Sequence, residues 1–370
     1  MTGVFHESEL TIGIVGLGLI GSSIGLGMAT AGAEIVGFDH DQTRCSQAQS
    51  VGAVHSLVDG VDDFAPCDLV VVCVPVSAVA STVLEVLSSS DAYVTDVGSV
   101  KRPVVESVER AGQALSSRFV GGHPMAGSEL SGPLGASPDM FRGAAWVLTP
   151  SATTDPVAFA TVRWMVQLLG AEPIEIAPKR HDQLVAAVSH VPHLTAGALL
   201  EVAHRDPEDQ ALTLRLAAGG FRDMTRIASG DPEIWPDICF ENDDAILDAL
   251  DALIAKLHDL RERVAAADSV GLLADLERAR QARSELMNVR PRTASALVSI
   301  RVLVPDRPGV LADITTSLGA RNVNVYDVEI AHSVETHGGL LIMLIAEQDL
   351  GAAAEELTER GYVFTTARQV

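Results

Sequence analysis

The opening forty residues constrain this chain more than any other stretch. Leu10 to Val15 reads as a short buried strand, and Gly16-Leu17-Gly18-Leu19-Ile20-Gly21 follows at once. Ser22 to Gly32 continues as a helix rich in small residues, and Glu34 to Phe38 is the next strand, ending at Asp39. A lone GxGxxG is weak evidence, but between a strand and a helix, with an acidic residue about twenty positions on, it marks a dinucleotide-binding βαβ unit. The glycines let the backbone approach a pyrophosphate, and the helix N-terminus favours its negative charge. Gly16, Gly18, Leu19, Ile20 and Gly21 are therefore expected at the cofactor. Asp39 is expected to accept hydrogen bonds from an adenosine ribose hydroxyl. The same carboxylate would repel a 2′-phosphate, so NAD is favoured over NADP. The alternative is a glycine turn without a cofactor.

Strands and helices keep alternating after that unit. Asp68 to Val74 is apolar without polar alternation, as in a strand covered on both faces. Ser77 to Leu87 reads as a helix and Ala92 to Thr95 as a strand. That strand leads into Asp96-Val97-Gly98-Ser99-Val100-Lys101, at the carboxyl end of the sheet where ligands of such folds lie. Ser99 could equally be a helix cap. Arg118-Phe119-Val120 reads as the end of a strand. Gly121-Gly122-His123-Pro124-Met125-Ala126-Gly127-Ser128-Glu129 then carries too much Gly and Pro for a strand interior and is expected to be a loop. It holds a histidine, a hydroxyl and a carboxylate together, and histidine titrates nearest neutrality. Ala144 to Thr149 and Ile174 to Ile176 read as the last strands, with a helix from about Pro156 to Leu169 between them.

From Pro178 to about Leu286 the pattern is helical, with apolar positions such as Ile246, Leu250, Leu253 and Leu257 at helical spacing. A partner subunit is the expected cover for some of this apolar surface. His190 and His193 stand three apart, which allows metal-ligand spacing, but no third ligand or HExxH supports a metal. A substrate contact by one of them and plain structural histidines are the other readings. Gly219-Gly220-Phe221-Arg222-Asp223-Met224-Thr225-Arg226 and Trp235 could form a carboxylate clamp, since Arg binds carboxylates bidentately. A surface arginine on a helix start is the alternative. Arg283 to Ala296 reads as a linker, and beyond it about seventy residues follow a βαββαβ order, which is ferredoxin-like.

Composition narrows the partners. The 370 residues carry a net charge of −23, which argues against nucleic acid and anionic membranes. An anionic substrate would need its own local cations. Four cysteines without metal spacing suit a reduced, cytoplasmic chain, and Met1 to Leu10 has no signal pattern. The apolar run Leu69 to Val74 is too short to span a bilayer.

Taken together, GLGLIG at Gly16 to Gly21, DVGSVK at Asp96 to Lys101, GGHPMAGSE at Gly121 to Glu129, SHVPH at Ser189 to His193 and GGFRDMTRIA at Gly219 to Ala228 resemble the prephenate and arogenate dehydrogenase family of tyrosine biosynthesis. The tail resembles an ACT domain through Val304 to Leu311. The resemblance implies an α/β Rossmann-type domain over residues 1–177 and an all-α substrate and dimerisation domain over 178–286. A linker (287–296) and a ferredoxin-like ACT domain (297–370) follow. It implies an NAD-dependent oxidative decarboxylation of prephenate to 4-hydroxyphenylpyruvate. Arogenate is the alternative substrate, and no residue separates the two. His123 would take the proton of the ring hydroxyl, with Ser99 beside it. Arg226 would pair with the ring carboxylate, and His193, Ser128, Glu129 and Trp235 would line the substrate site. Asn322, Asn324 and Gly309 would hold an amino-acid effector, most plausibly tyrosine. A homodimer through the helical domain is expected, and no metal. No segment resembles a chorismate mutase, which implies a monofunctional enzyme. A 3-hydroxyacid or imine-type dehydrogenase shares the layout but depends on a lysine motif that neither Lys179 nor Lys256 provides. A non-catalytic NAD-binding sensor is the third reading.

Overall fold

The computed structural model describes residues 10–127, 130–204, 210–287, 297–305, 307–332 and 338–368. The chain divides into two compact units, Met1–Glu262 and Arg263–Val370. The first unit is built on an eight-stranded sheet. Its strands are β1 (Thr11–Val15), β2 (Glu34–Phe38), β3 (Ser56–Leu57), β4 (Leu69–Val72), β5 (Tyr93–Asp96), β6 (Phe119–Pro124), β7 (Ala145–Thr149) and β8 (Glu172–Glu175). The spatial order is β3-β2-β1-β4-β5-β6-β7-β8. All neighbours are parallel except β6 and β7. The helices between them are α1 (Leu19–Thr30), α2 (Gln42–Ser50), α3 (Val76–Ser89), α4 (Arg102–Arg110), α5 (Gln113–Ser116) and α6 (Pro156–Leu168).

The sheet is covered on both faces, and its central strand β4 is apolar and buried at every position. Leu69 and Val71 pack with Ile12, Ile14, Ile24, Val162 and Met165 on the side of α1 and α6. Val70 and Val72 point the other way, to Val79, Val83 and Val105 of α3 and α4. This explains why β4 reads as an unbroken apolar run. The chain order reverses between β1 and β4, which opens a crevice at their carboxyl ends.

The structure corrects the expectation of a loop starting at Gly121. The sequence Gly121-Gly122-His123-Pro124 continues β6 and pairs antiparallel with β7, with His123 opposite Val147. Glycine is used here for close approach rather than for flexibility. A Cβ at Gly122 would stand 2.6 Å from the Asp96 carbonyl oxygen, and one at Gly121 2.4 Å from Thr149 Oγ1. The strand is thereby pressed onto the end of β5, and the histidine is held by a ladder instead of a mobile turn.

The rest of this unit is helical. Helix α7 (Pro178–Val185) runs through one π turn, Ala186–His190, into α8 (Val191–Ala203). Then come α9 (Gln210–Leu216), α10 (Gly219–Thr225), α11 (Trp235–Glu241) and α12 (Asp243–Ala265). Their shared core is small, centred on Ala186, Val191 and Ile246. Large apolar side chains stay exposed, among them Val188, Val202, Phe240, Leu247, Ile254 and Leu257. The span Pro178–Ala203 has the length and apolar content to cross a membrane, but it carries the buried polar residues His181, Asp182 and His190.

The second unit begins within α12. It holds α13 (Ser269–Met287) and a four-stranded antiparallel sheet of order β10-β11-β9-β12, formed by β9 (Leu297–Pro305), β10 (Val325–His332), β11 (Gly338–Ala346) and β12 (Val363–Arg368). Helices α14 (Val310–Ala320) and α15 (Leu350–Glu359) bury Ile314, Leu318, Ala353 and Leu357 against Ile300, Val302, Met343 and Ile345. This is the expected βαββαβ order.

The substitution Gly122→Ala should lower stability by about 1–3 kcal/mol, the usual cost of forcing a methyl into a filled site. A urea unfolding series on the two proteins measures it, and an unchanged midpoint would refute the close packing of β6 on β5.

Candidate active site

The crevice between β1 and β4 is shaped for a dinucleotide. Gly16 has φ +93°, and a Cβ there would lie 2.4 Å from the Cys73 carbonyl oxygen, so only glycine allows the turn. A Cβ on Gly18 would meet nothing within 4 Å, which leaves the loop open on the side facing the crevice. Helix α1 starts at Leu19 with no side-chain cap, so its first amides are free for an anion. Gly21 packs the helix onto the loop, its Cβ position only 2.0 Å from the Gly16 carbonyl oxygen. Asp39 accepts from the Leu17 amide at 2.8 Å and from the Asp41 amide at 2.9 Å. It lines a cavity of about 370 Å³ together with Gly16, Gly18, Phe38, His40, Arg44, Pro75 and Thr82. These residues fit an adenosine ribose and its pyrophosphate. Ile20 lies in the first turn of α1.

Across the sheet, β5 and β6 end in a buried polar cluster. Lys101 is fully buried and pairs with Asp96, which is also fully buried. Its ammonium also donates to the Gly122 carbonyl at 2.7 Å. The Asp96 carboxylate accepts from the Gly98 amide at 2.9 Å and from the Gly122 amide at 3.1 Å. Burial pulls the Lys101 pKa down from 10.5, while Asp96 and Asp182 push it back up. The cluster fixes the end of β6 and the loop that carries Ser99. The Ser99 Oγ is buried and has no hydrogen-bond partner among the described residues. An orphaned hydroxyl of this kind is a group waiting for a ligand atom.

His123 sits next to this cluster. Its Nδ1 lies 2.9 Å from His181 Nε2, and His181 Nδ1 lies 2.8 Å from Asp182 Oδ1. The carboxylate orders the hydrogens. His181 donates to Asp182, so its Nε2 accepts from His123 Nδ1–H, and His123 keeps a lone pair on Nε2. Burial pushes the His123 pKa well below 6.5, helped by His181, Lys101 and His190. The ring is therefore neutral at physiological pH. Asp182 also accepts from the amides of Lys101 and Arg102, both at 2.8 Å.

The helical half closes over this row. Asn242 donates to the Asp182 carbonyl at 3.0 Å and lies 3.2 Å from His190 Nδ1. Ser77 of α3 donates to Asp237 of α11 at 2.5 Å, and Arg102 pairs with Asp244 at 3.0 Å. His193 stacks on Trp235, with centroids 3.5 Å apart and planes 15° from parallel. Trp235 also meets His190 edge-on at 6.2 Å. The two histidines thus share one aromatic neighbour. Among the described residues no group of three or more His, Cys, Asp or Glu is arranged to hold a metal. Arg226 is exposed at the start of a short 3₁₀ turn, Arg226–Ser229, and no carboxylate pairs with it among the described residues. A Cβ at Gly230, at the end of that turn, would stand 3.7 Å from His193 Cε1. Ser128 and Glu129 lie outside the described residues. In the second unit, Gly309 (φ +88°) precedes α14 and Asn322 is left-handed (φ +57°), while Asn324 is exposed.

Sequence reasoning singled out His123, Ser99, His193, Arg226 and Trp235 but gave no role to Asp96, Lys101, His181, Asp182 or Asn242. Two of these stood inside quoted motifs. His181 and Asp182 are adjacent on α7, a helix of mostly polar residues, so nothing local marked them for burial.

A nucleotide crevice beside a hydrogen-bonded histidine pair defines the class: a dinucleotide-dependent dehydrogenase with a helical second half. The chain belongs to the prephenate dehydrogenase family. Residues 25–175 match the family's nucleotide-binding domain, residues 177–278 its dimerization domain, and residues 298–361 match an ACT domain. A prephenate dehydrogenase of Bacillus subtilis is 34% identical over 96% of this chain and 97% of its own. A cyclohexadienyl dehydrogenase of Zymomonas mobilis is 31% identical over 76% of this chain and 98% of its own. A crystal structure of prephenate dehydrogenase from A. aeolicus, in complex with hydroxyphenyl propionate and NAD+, aligns with a TM-score of 0.70 at 30% identity. It covers 77% of this chain and 100% of that one.

The neutral histidines carry a pH signature. Burial pulls His190 from 6.5 to about 4, against the opposing pull of Asp182. A histidine depressed in the folded state binds fewer protons than in the unfolded state, so it stabilises above the unfolded pKa and loses that contribution as pH falls towards the folded one. Stability should therefore drop between pH about 6.5 and 4, and His190→Asn should flatten the fall between pH 6.5 and 5, where few carboxylates titrate. Urea midpoints across that range decide; equal slopes for the two proteins would contradict it.

Proposed function

We propose that this protein is a prephenate dehydrogenase that uses NAD to convert prephenate to 4-hydroxyphenylpyruvate with loss of carbon dioxide. The observation that carries this reading is the row His123 Nδ1–His181 Nε2, with the His123 pKa pushed down by burial, together with an unpartnered Ser99 hydroxyl on the loop after β5. The bound dinucleotide supplies the hydride acceptor. The residues do the rest. Gly16 to Gly21 and Asp39 place the cofactor. His123 Nε2 accepts the proton of the C4 hydroxyl as that carbon becomes carbonyl-like, and Ser99 holds the same oxygen. Arg226 binds the ring carboxylate until the C1 bond breaks, while His193 and Trp235 wall the pocket. Aromatisation supplies the driving force, so positioning and one proton transfer suffice.

The Asp39 carboxylate at the ribose position supports NAD over NADP. A. aeolicus prephenate dehydrogenase was crystallised with NAD+, and a Synechocystis arogenate dehydrogenase aligns with a TM-score of 0.67 at 30% identity, over 75% of this chain and 100% of that one. Arogenate therefore belongs in the same assay. The proposed domains are 1–177, 178–286 and 297–370, joined by a linker at 287–296. A homodimer is proposed through the helical domain. Its support is the exposed apolar side chains and a cavity of about 440 Å³ lined by Val191, Pro192, Thr195, Leu199, Met224 and Ile227. The proposed location is the cytoplasm, and the proposed effector of the ACT domain is tyrosine, at Gly309, Asn322 and Asn324.

Two experiments test this. With prephenate and NAD, His123→Asn should lower kcat by about 10²- to 10⁴-fold with dinucleotide affinity intact, the range for a general base. Arg226→Ala should chiefly raise KM; normal kinetics in both variants would remove both roles. Truncation after Leu286 should abolish any change of rate on adding tyrosine, and an effect that survives would place the effector site elsewhere.

A further inference from the structure

His181 and Asp182 form the end of a chain that begins at the proposed base. Three observations set the problem. His123 lies 2.9 Å from His181, which lies 2.8 Å from Asp182. His181 and Asp182 are 1% and 2% exposed, so water has little access to either. A positive charge on His123 is disfavoured by burial and by Lys101, whereas a charge on His181 would touch an anion. Asp182 accepts from two backbone amides besides the imidazole. The charged or titratable groups facing His181 are His123 from β6, Lys101 and Arg102 from the start of α4, His190 from the π turn, and Asp182 beside it.

We propose that His181 is a proton store: it receives a proton from His123 during turnover, holds it against Asp182, and returns it for the final protonation of product. The inference rests on the reading of His123 as the base. The step balances. The substrate O–H proton goes to His123 Nε2, and its bond pair becomes part of the new C=O as the C4 hydrogen leaves with its own pair as hydride. The His123 Nδ1–H bond breaks as a bond to His181 Nε2 forms. Loss of carbon dioxide returns the C1 bond pair to the ring, and the phenolate oxygen takes its proton back from His123 as His181 returns the other. The dinucleotide is the only oxidant and no proton is released, so a store inside the protein is sufficient and an exit to water is unnecessary. His181 acts through His123 and is a positioning residue in every other respect, as Asp is in a Ser-His-Asp triad.

His181→Gln separates the two roles. The amide oxygen can accept from His123 Nδ1–H and the amide nitrogen can donate to Asp182, so orientation is kept, but the amide takes up no proton. The expected result is a fall in kcat of about 10- to 100-fold, within the range of general-base effects, with KM and dinucleotide affinity unchanged. The acid limb of the kcat profile should also move to lower pH, because the proton-accepting imidazole is gone and the site then titrates on His123 alone, whose pKa burial holds well below 6.5. Wild-type kcat with an unmoved acid limb would overturn the store. A second measurement needs no variant: ¹⁵N-histidine NMR of the full-length protein on acidification. The first proton taken up by the pair should appear on His181, leaving His123 neutral; first protonation of His123 would overturn the proposal. Active His123→Asn would refute the base itself, whereas inactive His123→Asn beside a wild-type His181→Gln would refute only the store.

Discussion

The carboxylate of Asp182 is the contact on which the first unit's working geometry depends. It receives the Lys101 and Arg102 amides at the start of α4 and the ring of His181, while its backbone carbonyl receives Asn242. One residue of the helical half thus caps a helix of the sheet half and orders a histidine pair that reaches β6. The arrangement converts a fold-level contact into a chemical one. If α7 moved by an ångström, the tautomer of His123 would no longer be set. Buried carboxylates are costly unless every lone pair is used, and here the donors come from two separate parts of the sequence. The helical half therefore docks in one register only.

A second buried charge pair acts on the same strand from the other side. Lys101 pairs with Asp96 and holds the Gly122 carbonyl, so the backbone just before His123 is gripped by β5 and by the α4 turn together. Such pairs seldom add stability over an apolar substitute. Their use here is positional: the cation beside His123 helps to keep that imidazole neutral, while His181 faces the carboxylate of Asp182, the next residue along the chain. Opposite electrostatic environments on neighbouring rings are how similar side chains acquire different duties.

Much of this was legible in the sequence, and the reasons are physical. The glycine loop at Gly16–Gly21 was readable because close backbone approach forbids a side chain at fixed spacings, which leaves a pattern in one stretch of chain. The two half-domains of the tail were readable because β9 and β11 alternate or run apolar and their helices bury one stripe. The strand nature of Gly121–Pro124 was not readable, because its glycines serve packing against Asp96 and Thr149, residues that are distant in sequence. For the same reason, Lys101 and Asp182 looked like ordinary polar residues near helix starts. Their distant partners, Gly122 for the Lys101 ammonium and the Lys101 amide for Asp182, are brought to them by the fold, and no local period records that. His181 stood beside Asp182 in plain view, but adjacency on a helix does not say that both will be buried.

The overall charge of −23 sharpens what the few buried or unpaired cations must do. A strongly acidic surface repels a dianionic substrate at long range, although screening limits this to about 8–10 Å at physiological salt. Binding must then come from cations that the protein has not already neutralised. Arg102, Arg142, Arg263, Arg321 and Arg360 are all engaged by carboxylates, and Lys101 is sealed in the core. Arg226 is exposed on the turn whose end lies against His193, and among the described residues it has no carboxylate partner. That placement is what supports the proposed role of Arg226 in receiving a substrate carboxylate.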